Sequence, residues 1–159
     1  MKKSVILPKD KSTNTGGLWL GNICAAENVK DLKDSNINFV VTAMPKSQSE
    51  YLSVMYAENQ ITHKIIDVLD FSDQNVKQHF TECCEFIENA LENSNVLIHC
   101  FQGKSRSTTL VAAYLVKTWN RKVDSVLDFI REQRPDTKPN DGFLDQLYDW
   151  EKDLATSLY

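Results

Sequence analysis

No apolar run in this chain approaches the ~20 residues that a membrane-spanning helix requires. The basic start, Met1-Lys2-Lys3-Ser4, leads only into Val5-Ile6-Leu7, too short for the core of a secretory signal. Lys2 stands where myristoylation needs glycine, and Ala155-Thr156-Ser157-Leu158-Tyr159 holds no prenylation box. There are only three histidines and no Cys-x-x-Cys pair, so neither a metal site nor a bound cofactor is expected. The net charge of −4 comes without a block of one sign, which argues against a nucleic-acid partner. Four cysteines are too few and too poorly placed for a disulfide scaffold: Cys83 and Cys84 are adjacent, leaving Cys24 and Cys100. These absences together lead us to expect a soluble protein of the cytosol or nucleus with reduced thiols and no membrane contact. They set no oligomeric state.

What is present is an ordinary globular composition, 42% hydrophobic and 25% charged over 159 residues, enough for one domain with one sizeable core. Residues 1–15, rich in Lys, Ser, Thr and Asn, read as a flexible lead-in, and 16–159 as the folded domain. Strands are expected at Leu18–Leu20, Ile37–Val41, Thr62–Val68 and Val96–Ile98. Helices are expected at about 25–35, 48–58, 75–92, 106–119, 122–133 and 141–155. Val76, Phe80, Cys83, Cys84, Ile87 and Leu91 carry the helical period. Strands alternate with helices early and helices dominate late. That order predicts an α/β fold with a short, mostly parallel central sheet flanked by helices.

The informative stretch is Val96-Leu97-Ile98-His99-Cys100-Phe101-Gln102-Gly103-Lys104-Ser105-Arg106-Ser107. A buried strand delivers Cys100 to the edge of the sheet where ligands bind in such folds. The chain must then turn sharply into a helix, and Gly103 permits the dihedrals of that turn. Amides from Phe101 through Gln102, Gly103, Lys104 and Ser105 to Arg106 then form an anion cradle at a helix N-terminus. Cysteines in such surroundings ionise at roughly pH 3.5–7.5. The same donors suit a phosphoryl group, with Arg106 as a planar, two-pronged clamp. A Walker-type loop is excluded, because its first glycine would fall at Ile98.

His99-Cys100-x-x-Gly103-x-x-Arg106-Ser107 resembles the signature of the protein tyrosine phosphatase superfamily, and the chain from about residue 17 resembles its dual-specificity branch. Leu18–Asn22, Thr109–Leu115 and the segment Arg134-Pro135-x-x-x-Pro139-Asn140-x-Gly142-Phe143 carry that wider resemblance. It implies Cys100 as nucleophile, Arg106 as phosphate clamp, and a Ser107 hydroxyl that stabilises the departing thiolate. It also implies His99 and Asn140 as supports of the phosphate loop. An Asp upstream would protonate the leaving oxygen and later activate water. Asp67, Asp70 and Asp73 are candidates. The resemblance selects Asp70, which precedes Val76 by six residues, with the aromatic Phe80 four further on. Asp73 reads as a helix cap and Asp67 as a strand end.

The implied substrate is a phosphorylated protein, with phosphotyrosine and phosphoserine or phosphothreonine both admitted. A phosphoinositide phosphatase ranks second, because Phe101 stands where those enzymes tend to carry a first lysine. A phosphate-binding pseudophosphatase adaptor is a further alternative. Rhodanese-like sulfurtransferases and arsenate reductases share an anion loop but not the Asp70–Val76 spacing or the Asn140 segment. Cys24, Cys83 and Cys84 read as small core residues.

Overall fold

The computed structural model describes residues 2–157. Met1, Leu158 and Tyr159, the outer ends of the two expected segments, lie outside the described residues. The centre is β5 (Asn95–His99), buried at every position because parallel strands flank it on both sides. These neighbours are β2 (Leu18–Gly21) and β3 (Ile37–Ala43); β4 (Thr62–Ile66) follows β3 in parallel. The full order is β1-β2-β5-β3-β4, with β1 (Lys3–Leu7) antiparallel at the edge. The mostly parallel sheet agrees with the expectation. The lead-in does not: Lys3–Leu7 of the segment read as flexible pairs with β2. The extended run Ser4-Val5-Ile6 buries Ser4 and Ile6 while Val5 faces out, the period of a half-buried strand.

Side chains alternate across the sheet, so two cores form. Val96 and Ile98 face one side with Val41 and Ala43; Leu97 faces the other with Val40. The larger core is covered by α4 (Phe80–Asn93), α5 (Arg106–Trp119), α6 (Val123–Gln133) and α7 (Asp141–Ser157). The smaller is covered by α1 (Ile23–Glu27), α2 (Val29–Asp34) and α3 (Lys46–Ala57). α5 packs against α4, α6 and α7 as well as the sheet, which explains why Ser107 through Val116 are all buried.

The single helix expected at 25–35 is two. Asn28 leaves helical geometry (φ −90°, ψ 78°), and its side chain accepts from the Asp31 amide to start α2. The helix expected from 75 begins as a 3-10 turn at Lys77–His79 before α4. Val76, and not Asp73, stands at the N-cap of that turn, and the Gln78 amide within it donates to Asn75 Oδ1. Cys83 and Cys84 lie in the core as expected, whereas Cys24 is exposed on α1. Among the described residues no helix is long and apolar enough to cross a membrane.

α1 leaves the end of β2 toward the smaller core, while α5 leaves the adjacent β5 toward the larger one. Helices departing to opposite faces open a crevice beyond the strand ends, the usual binding position in such folds.

Candidate active site

In that crevice the backbone from Phe101 to Ser105 turns its carbonyls outward, and each has a partner. The Phe101 carbonyl accepts from the Ile23 amide at 3.1 Å, and that of Lys104 from the Lys138 amide at 2.7 Å. The Gly103 carbonyl accepts from Arg134 Nε at 3.0 Å and the Gln102 carbonyl from Nη2 at 3.5 Å. The Ser105 carbonyl accepts from the Thr109 amide within α5. In a planar trans peptide the N–H points opposite to the preceding C=O. The amides of Gln102 through Arg106 therefore face the interior of the loop. One of them shows its target directly: the Gly103 amide donates to Cys100 Sγ at 3.3 Å.

Gly103 adopts φ +70°, and a Cβ there would stand 2.6 Å from the Gly21 carbonyl oxygen and 2.7 Å from Arg134 Nη2. Only glycine meets both the left-handed geometry and the close approach. Cys100 is 2% exposed, and its Sγ lies 3.1 Å from Ser107 Oγ in the first turn of α5. Above it is a cavity of about 150 Å³ lined by Asp70, Cys100, Phe101, Gln102, Lys104, Ser105 and Arg106. The structure thus brings Asp70 and the loop to one pocket.

Arg106 Nη1 donates to the Val68 carbonyl at 3.1 Å, tying the loop after Cys100 to the segment that carries Asp70. Asp67 is committed elsewhere: its carboxylate accepts from the Lys46 amide at the start of α3. Asn140 does three things at once. Its amide N–H donates to Ser105 Oγ, its Oδ1 accepts from the Phe143 amide, and its Nδ2 donates to Asp70 Oδ1. It caps α7 and braces the site together. His99 is fully buried; its Nδ1 lies 3.2 Å from the Cys100 carbonyl and its Nε2 2.6 Å from Thr42 Oγ1. Burial pushes its pKa down to about 3, so the ring is neutral.

The family model described as "Dual specificity phosphatase, catalytic domain" matches residues 18–153. The chain belongs to the dual specificity phosphatase family. It is 36% identical over 142 residues to Dual specificity protein phosphatase 1 of Arabidopsis thaliana, covering 89% of this chain and 69% of that one. It is 35% identical over 147 residues to Dual specificity protein phosphatase 1B of the same plant, covering 92% and 84%. The solved structure of DUSP15 superposes with a TM-score of 0.76 at 33% identity, covering 89% of both chains. Human DUSP28 shares the fold, with a TM-score of 0.79 at 22% identity over 96% of this chain and 95% of that one. The phosphatase is accordingly a cysteine-dependent enzyme.

Two residues quoted in the wider resemblance were given no role at the site from sequence. Arg134 is buried behind the loop, donating to Gly103, Gln102 and, through Nη1, Ser4 Oγ on β1. Burial lowers its pKa, and negative charge on Cys100 acts in the opposite sense. Its place beside Pro135 was legible, but its target, reached across the sheet, was not. Gly142 is the second. A Cβ on it would come within 2.0 Å of the Ser72 carbonyl oxygen, so at this point the α7 backbone lies directly against the Asp70 loop.

Proposed function

We propose that this phosphatase hydrolyses phosphotyrosine and phosphoserine or phosphothreonine in proteins through a phosphocysteine. The observation that carries the reading is Cys100 Sγ, held by the Gly103 amide and the Ser107 hydroxyl at the base of a pocket that Asp70 also lines. Cys100 attacks phosphorus, and the P–O bond to the leaving group breaks as Asp70 gives that oxygen its proton. Water then attacks the phosphocysteine while Asp70 takes its proton, releasing phosphate and the thiolate. Inward amides and Arg106 stabilise the charge on the equatorial oxygens. Ser107 Oγ stabilises the leaving sulfur.

The rim supports a protein substrate over a polyphosphorylated lipid headgroup. Leu69, Phe71 and Phe101 are exposed apolar side chains of the Asp70 segment and the phosphate loop, Phe71 at 61% and Phe101 at 57%. Besides Arg106, Lys104 is the only cationic residue lining the pocket among the described residues. One added cation suits a single phosphate on an apolar polypeptide surface better than several phosphates on a sugar.

The test is hydrolysis of p-nitrophenyl phosphate, phosphopeptides and phosphoinositides. Cys100→Ser is expected to abolish turnover, and Asp70→Asn to lower it most for leaving groups of high pKa. Turnover surviving Cys100→Ser would sink the mechanism. Phosphopeptide binding without any turnover would make the chain an adaptor, and faster turnover of phosphoinositides would reverse the substrate ranking.

A further inference from the structure

Four hydrogen bonds run in series along the sheet face that carries the smaller core. Ser53 Oγ lies 2.7 Å from His63 Nδ1, and His63 Nε2 lies 2.6 Å from Thr42 Oγ1. Thr42 Oγ1 lies 2.6 Å from His99 Nε2, and His99 Nδ1 lies 3.2 Å from the Cys100 carbonyl oxygen. The series crosses α3, β4, β3 and β5 and ends on the backbone of Cys100. Tyr56, also on α3, holds the plane of the His63 ring edge-on at 4.8 Å and 90°.

The direction of every bond follows from one end. A carbonyl oxygen only accepts, so His99 Nδ1 carries the hydrogen. A neutral imidazole has one donor and one acceptor, so His99 Nε2 accepts from the Thr42 hydroxyl. That hydroxyl has one hydrogen, now spent, so Thr42 Oγ1 accepts from His63 Nε2–H. His63 Nδ1 then accepts from Ser53. Burial supports neutrality at both rings, with His63 lowered to about 4 and His99 to about 3.

Reversing the series is possible at three of the four contacts and fails at the fourth. If His63 carried its hydrogen on Nδ1, Thr42 would donate to His63. His99 would then hold its hydrogen on Nε2, facing Thr42. Its Nδ1 lone pair would confront the carbonyl oxygen of Cys100. The tautomers of His63 and His99, which lie 21 and 57 positions from Thr42 in sequence, are thus coupled through a single hydroxyl hydrogen.

We propose that His63 is a positioning residue for the nucleophile: acting through Thr42, it holds His99 in the tautomer that donates to the Cys100 carbonyl. This rests on Cys100 being the nucleophile. The residue after that carbonyl is the first of the phosphate loop, so the bond fixes where the loop departs from β5.

Long-range proton–nitrogen NMR of the imidazoles at pH 7.5 reads the tautomers directly, and only three histidines need assignment. In the wild type His99 is expected wholly as Nδ1–H and His63 wholly as Nε2–H. His63→Phe keeps a ring against Tyr56 but removes both hydrogen bonds. It is expected to give His99 a mixture of tautomers and a kcat for p-nitrophenyl phosphate roughly 2–10-fold lower, with KM changed less. Thr42→Val is expected to match it, and the double variant to be no worse than either single, because both break one series. Thr42→Ser retains the hydroxyl and is expected to stay within about twofold of wild type. Should either large variant fail to fold, Ser53→Ala is expected to shift the tautomers in the same direction. His99 found as Nε2–H in the wild type, or additive losses in the double variant, would overturn the proposal. So would His63→Phe with both tautomer and kcat unchanged. The tautomers are read without turnover, so an activity that survives Cys100→Ser refutes the nucleophile and leaves the relay standing.

Discussion

Asn140 Nδ2 donates to Asp70 Oδ1 across 3.0 Å, so the start of α7 holds the carboxylate that lines one pocket with Cys100. The bond joins residues 70 apart in sequence, and the same side chain caps α7 through the Phe143 amide. Asn140→Ala removes both and leaves the backbone bond to Ser105. The expected result is a loss of about 1 kcal/mol in urea unfolding, typical of a lost cap. A larger relative fall is expected in kcat than in phosphate affinity, because Asp70 and not the loop loses its donor. An unaltered kcat would show that Asp70 needs no brace from α7.

Arg134 is a buried cation whose donors go to Gly103, Gln102 and Ser4, with no carboxylate bonded to it among the described residues. Arg134→Met removes the donors and leaves loop carbonyls buried without partners, each costing roughly 1–3 kcal/mol. We expect a lower unfolding midpoint together with a fall in kcat of tenfold or more, on the order of 1.4 kcal/mol in the barrier. Stability lost with kcat intact would make Arg134 a fold residue alone.

Gly103→Ala meets two obstacles at once. The left-handed φ of +70° costs a side chain roughly 1–2 kcal/mol. The added methyl also stands 2.6 Å from the Gly21 carbonyl oxygen, a rigid backbone atom. The loop must move off β2, so inorganic phosphate or vanadate is expected to lose its competitive inhibition of p-nitrophenyl phosphate turnover. Retained inhibition at wild-type concentrations would contradict the close packing of the loop on β2.

Acid is expected to unfold the phosphatase in a window set by two histidines, His99 buried and His63 half-buried. Both fold with pKa values below the ordinary value near 6.5: His63 at about 4 and His99 at about 3. Between those values and 6.5 the unfolded chain binds protons that the folded chain refuses. Stability is therefore full above about pH 6.5 and falls as pH drops toward 4, with a slope approaching 1.4 kcal/mol per pH unit for each histidine. Urea midpoints measured from pH 7.5 to pH 4.5 check this, and His63→Phe is expected to halve the slope above pH 4.5. A flat profile across that window would mean that the rings accept protons without cost.

Much of this site lay open in the sequence because its determinants are neighbours along the chain. The apolar run into His99, the glycine three residues after Cys100, and Arg106 opening an amphipathic helix specify strand, turn and helix locally. Helix positions with a clear apolar period, such as Phe80 through Leu91, were equally legible. Asn28 was not, because a 3.6-residue pattern runs through it while its own side chain starts a new helix. The lead-in was misread for a different reason. A single five-residue strand of mixed polarity shows no pattern of its own and becomes a strand only when β2 offers its edge.

The amino-acid order by itself determined the chemistry: a thiol at a strand end, a loop of inward amides and an arginine entering a helix. Tertiary structure decided which remote groups hold that loop in shape. Arg134 reaches Ser4 across 130 positions, Asn140 reaches Asp70, and His63 reaches Cys100 through two other side chains. Hydrogen bonds within a turn follow from local spacing, whereas these require the sheet to close first. Their partners become neighbours only after the strands have been ordered by burial of their apolar faces.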